Sequence, residues 1–116
     1  HGKTDCTLAS FCQMIADTAD RFGAAHLGIG SDLCQDQPDS VVKWMRVGRW
    51  TKDIDYGEGS EIAPGFPPMP EWFQDNRDFG NIEAGLREVG FDSDEISGIM
   101  GDNWHRFYAQ SFGSAT

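Results

Sequence analysis

The sequence predicts an α/β fold: the C-terminal portion of a (β/α)8 TIM-type barrel, mostly helical within this chain and completed by another chain or segment. Three observations predict it. An amphipathic helix at 7–22 runs through a very short connection into an apolar stretch at 26–31, which is half of a βα repeat and so a piece of parallel sheet. One face of that stretch is nearly bare of side chains and ends on Asp32, where a barrel strand would present a functional group. The rest of the chain reads as helix or loop, and a single strand cannot make a sheet.

The elements follow in order. Leu8, Phe11, Cys12, Ile15, Ala19 and Phe22 recur at the spacing of one helical face. Thr4 or Thr7 can cap the start, and Gly23 supplies a left-handed stop. In 26–31, alternation puts Leu27, Ile29 and Ser31 on one face and His26, Gly28, Gly30 and Asp32 on the other. Glycines on that second face let something approach the backbone closely.

After "PDS", Val41, Val42, Trp44 and Met45 suggest a short helix. "YGEGSEIAPGFPPMPEWF" is rich in Gly and Pro and reads as a long loop. Its surrounding aromatics (Trp50, Tyr56, Phe66, Trp72, Phe73) argue for order and for a functional segment. Ile82, Leu86 and Val89 share a face before Gly90, and "DSDE" fits a capping box with Asp92 as cap and Glu95 three residues on. Ile96, Ile99 and Met100 follow up to Gly101, and Trp104, Phe107 and Tyr108 mark a last helix. The chain thus divides into a helix–strand unit at 7–32, a lid-like insertion at 37–77 and closing helices at 78–112, all within one region, 1–116.

Charge narrows the partners. With 19 acidic against 9 basic residues and a net charge of -10, the chain is a poor match for nucleic acid or an anionic membrane. Its 39% hydrophobic content suits a packed protein, and no apolar run reaches the roughly 20 residues of a membrane-spanning helix. The opening "HGKTDCTL" has neither an initiator Met nor a signal-peptide pattern, so the chain is expected to start within a longer protein. Cys6, Cys12 and Cys34 are an odd, sparse set, read as free thiols in a reducing, cytoplasmic setting.

Several local patterns fail as functional motifs. "GIGSD" lacks the third glycine of a dinucleotide loop, Leu33 standing in its place. His1, His26 and His105 are scattered and build no metal cluster. Asp32, Asp36 and Asp39 lack the spacing of a calcium loop. Cys34 has no neighbouring base to lower its pKa. Lys43, Arg46, Arg49 and Lys52 do form a basic stripe interleaved with Trp44 and Trp50, either a solvated helix face or an anion-binding surface. Asp32 is either a cap for the following loop or a side chain aimed into an active site.

Two stretches resemble a known family. "AAHLGIGSDL" is similar to the last barrel strand of the renal (membrane) dipeptidase family, whose signature runs close to HVGIGSDFDG. "GNIEAGLREVGFDSDEISGIMGDNWHRF" resembles the same family's terminus, with Gly101 and Asn103 matching its GGN turn and Asp102 replacing a Gly. The two lie in the family's order and cover most of the chain except residues 37–77. The chain departs from the family at Cys34-Gln35, where an Asp-Gly is usual, and at Met14, near the family's helix His.

The resemblance implies a metal-dependent hydrolase, with a dipeptide or related small amide as substrate. It implies zinc, in two ions, held by residues outside this chain; the metalloprotease centre would come from the remaining N-terminal part or another subunit. Asp32 matches the family's strand-ending Asp and takes the catalytic role of proton relay. Arg46, Arg49 and His26 are candidate substrate-binding residues, the arginines for a substrate carboxylate and His26 because it shares the face of Asp32. A homo-oligomer stays open. The alternative is a non-catalytic binding or regulatory subunit that keeps the scaffold, and an amidohydrolase acting on another amide or N-acyl compound is a third reading.

Overall fold

A computed structural model describes residues 6–33, 37–47, 65 and 68–113. Helix α1 spans Leu8–Phe22, and the Thr7 side chain accepts a hydrogen bond from the Ser10 amide at 3.1 Å. That bond satisfies one of the donors a helix start leaves unpaired. Gly23, at φ +86°, ends the helix, and its amide donates to the Ala19 carbonyl at 2.7 Å. Positive φ costs glycine nothing, so the chain can reverse here without strain.

A 3₁₀ turn at Ala24–His26 follows, and the chain then leaves the helical path, with Leu27 in extended conformation. Helix α2 spans Asp39–Val47, the short helix expected after "PDS". A second 3₁₀ turn at Asn76–Asp78 leads into α3, Phe79–Glu88. Its cap, Asp75, pairs with Arg77 at 2.6 Å, and hydrogen bonding to Arg77 holds the Asp75 carboxyl down to about 2. Helix α4, Ser93–Ser97, carries the anticipated capping box: the Glu95 amide donates to Asp92 at 2.8 Å, and the Asp92 amide donates to Glu95 at 3.0 Å. A wide π-type turn at Gly98–Asp102 joins α4 to α5, Asn103–Phe112.

The core sits between α1, α3 and the α4 region. Cys12 and Ile15 meet Phe73, Ile82, Leu86, Ile96 and Ile99 there. Leu27, Ile29 and Leu33 are half-buried against this cluster, while His26, Gly28, Gly30 and Asp32 are exposed. The period-two alternation read from the sequence holds for Leu27 and Ile29, which pack on helices, while Ser31 is exposed.

The barrel expectation does not hold. Among the described residues there are five α-helices and no strand. The α/β class, the (β/α)8 portion and the strand at 26–31 are all corrected by this arrangement. The physical reason lies in the backbone partners. An extended segment becomes a strand only by pairing its N–H and C=O groups with another segment. Here carbonyls of residues 24–29 are taken by side chains of α5 instead. Helices α1, α3 and the α4 region bury apolar faces against one another without a sheet, while Trp104, Phe107, Tyr108 and Phe112 of α5 stay exposed. Of the lid-like insertion, 48–64, 66 and 67 lie outside the described residues, as do Cys34, Trp50, Tyr56 and Phe66.

Close packing of α1 on α3 depends on Gly85. A Cβ there would lie 2.6 Å from Cys12 Sγ and 3.0 Å from Leu8 Cγ. Cys12 is fully buried and cannot swing away. Alanine at 85 would gain about 1 kcal/mol of helix propensity. Overpacking a filled core costs about 1–3 kcal/mol, so the balance is a loss. Gly85→Ala is expected to lower the midpoint of chemical denaturation, and an unchanged or higher midpoint would show that α1 yields.

Candidate functional site

The first two turns of α5 grip the chain that runs toward Asp32. Asn103 is buried, and its Nδ2 donates to the carbonyls of Ala24 and Leu27, both at 2.8 Å. Arg106 Nη2 donates to the Ala25 carbonyl at 2.6 Å and to Asn103 Oδ1 at 3.0 Å. Trp104 Nε1 donates to the Ile29 carbonyl at 3.2 Å. The indole can reach that carbonyl because residue 28 has no side chain: a Cβ on Gly28 would lie 2.7 Å from Trp104 Cδ1. The glycine face expected to admit a close approach admits the chain's own tryptophan.

Between residues 25–28 and α5 lies a cavity of about 430 Å³, lined by His26, Trp104, Arg106, Phe107 and Gln110 among others. His26 thus borders a cavity, but Asp32 does not. Asp32 is exposed, four residues beyond Gly28, and up to about 13 Å away along extended chain. Its φ is +48°, the one positive value among the described non-glycine residues. Asp tolerates this left-handed region better than most side chains, though the conformation is uncommon outside turns. The neighbouring Ser31 Oγ accepts from the Leu33 amide at 3.3 Å, a small turn that closes the segment.

The basic stripe is only partly described. Lys43 and Arg46 belong to α2, where Trp44 is exposed and Val42 buried. Arg49 and Lys52 lie outside the described residues. Burial, and next the charge of Glu88, push the Cys12 thiol up, which keeps it protonated and inert. Cys6 and Cys12 are both free. Among the described residues no group of three or more His, Cys, Asp or Glu side chains could hold a metal ion, so these residues do not form a zinc cradle. Among them, too, no helix is long and apolar enough to cross a membrane.

Sequence reasoning passed over Arg106, Gln110 and the partners of Asn103. A signal was present: Asn103, Arg106 and Gln110 recur at three and four residues, a polar stripe beside the aromatic one on the same helix. The aromatic residues drew the reading because large apolar side chains dominate the search for a core. Comparison with protein-family models, with curated proteins and with solved structures gave no match.

Proposed function

We propose that this chain is part of a zinc-dependent, dipeptidase-like hydrolase that cleaves a dipeptide or a related small amide. Asp32 is its contribution to the chemistry. The reading rests on the "HLGIGSDL" and C-terminal resemblances, and the observation that carries it is the geometry at Asp32. An exposed carboxylate stands at the end of an apolar segment, in a backbone conformation few residues adopt. Rare backbone conformations gather at functional sites, where surrounding contacts hold them in place. The turn in which the Leu33 amide donates to Ser31 Oγ brackets Asp32, and α5 anchors residues 24–29 ahead of it.

The metal centre in this reading comes from a second polypeptide segment or subunit. Zinc supplies Lewis-acid polarisation of a carbonyl in such hydrolases. The chain's own part is proton movement. The Asp32 carboxylate takes a proton from the attacking water and delivers it to the leaving amine. Metal analysis of the complete assembly, together with turnover on a panel of dipeptides, tests the proposal. Bound zinc with measurable turnover supports it. An assembly that binds small amides without metal or turnover would instead be the non-catalytic subunit.

A substrate carboxylate needs a cation in so acidic a chain, and the basic stripe beginning on α2 offers Arg46 and Arg49. A charge-assisted hydrogen bond is worth about 1.5–3 kcal/mol, roughly ten- to hundred-fold in binding. Arg46→Ala or Arg49→Ala is expected to raise KM in that range with kcat little changed. If neither substitution moves KM, the stripe is only a solvated helix face.

A further inference from the structure

The cavity between residues 25–28 and α5 holds a cation that the hydrolase reading does not use. Among the described residues no Asp or Glu lines it, in a chain with 19 acidic and 9 basic residues. Among the described residues Arg106 is its only arginine or lysine. Both acceptors that Arg106 meets, the Ala25 carbonyl and Asn103 Oδ1, are uncharged. The ion pairs among the described residues belong to Arg77 and Arg87. Among the described residues the exposed Arg106 guanidinium thus meets two uncharged acceptors and no carboxylate.

A guanidinium carries five N–H donors. The two bonds from Nη2 leave those on Nη1 and Nε for a ligand. A cation held this way loses little further freedom on meeting an anion, which favours binding. Two aromatic rings, both partly exposed, stand beside Ala25, Leu27 and Gly28 in the wall: Trp104 and Phe107 lie edge to face with ring centroids 6.1 Å apart. Gln110 and His26 add neutral or weakly basic polar groups at the border. The volume of about 430 Å³ falls within the roughly 300–1,000 Å³ of small-molecule sites.

The geometry points to a binding site for a small aromatic monocarboxylate, with Arg106 taking the carboxylate and Trp104 and Phe107 the ring. One cation with a few free donors suits a single negative charge. A doubly charged phosphate would ask for more donors against the chain's net charge of -10. The site stands or falls independently of Asp32, which lies outside the cavity.

Titration of the complete assembly, 15N-labelled in this chain, with 3-phenylpropionate and with its neutral amide, 3-phenylpropanamide, tests the assignment by NMR. The readout is the Trp104 indole N–H, identified by its loss in Trp104→Phe. The acid is expected to shift it saturably, and the amide to bind roughly ten- to hundred-fold more weakly. Arg106→Gln should weaken the acid to the level of the amide, and Arg106→Lys should recover part of the loss. The amide comparison uses the unaltered protein, so it decides even where a variant disturbs the grip on Ala25. No saturable shift with the acid, or equal binding of acid and amide, overturns the assignment.

Discussion

Replacing Asp32 with asparagine is expected to lower turnover by the complete assembly about 10²–10⁴-fold, the usual contribution of general acid–base assistance. The substitution is unusually clean at this position. Asp32 has φ +48°, a region in which Asn is at least as comfortable as Asp, so the backbone is not disturbed. The side chain is exposed, and the amide has nearly the same shape, so no packing is lost. What disappears is the ability to accept and return a proton. Steady-state kinetics should show the loss in kcat, with an unchanged thermal midpoint. Near-full activity would reduce Asp32 to a turn residue at the end of its segment. A fall in activity together with the thermal midpoint would make its role structural.

The second large effect concerns stability. Leu86 is completely buried, between α1 and the α4 region, and is among the largest fully buried side chains. Leu→Ala in such a site loses transfer free energy and leaves a cavity, together about 2–5 kcal/mol. Its neighbours Cys12, Ile82, Ile96 and Ile99 come from separate elements, so little collapse into the void is open to them. Chemical denaturation should show the loss as a lower midpoint at constant slope. A change below about 1 kcal/mol would mean that the helices close over the gap, as sites that can relax do.

The helices were legible because their signals are local. The Thr7 cap, the stop at Gly23 and the Asp92–Glu95 capping box each depend on residues within four positions of one another. The alternation of 26–31 was legible in part: Leu27 and Ile29 do turn to the core, while Ser31, expected on the same face, is exposed. What covers that segment was not. An apolar alternating run looks the same whether a neighbouring strand or a set of side chains will meet its carbonyls. The side-chain partners of the carbonyls in 24–29 come from more than 70 positions away, as Asn103 to Ala24 illustrates. The site divides in the same way. His26 and Asp32 were picked from one local pattern, while the cavity beside His26 exists only because α5 returns across it. Arg106 was invisible as a cavity wall for the same reason.

Four carbonyls in the span 24–29, next to the run Leu27–Gly28–Ile29–Gly30, end on the N–H groups of Asn103, Trp104 and Arg106. An apolar stretch with bare backbone acceptors is a template onto which another copy of the same stretch can add. Helix α5 therefore acts as a blunting device as well as a clamp. Its side chains occupy hydrogen-bonding positions that self-association would otherwise use. Weakening those three residues would free an adhesive edge, so their substitution carries a solubility cost separate from any effect on folding or chemistry.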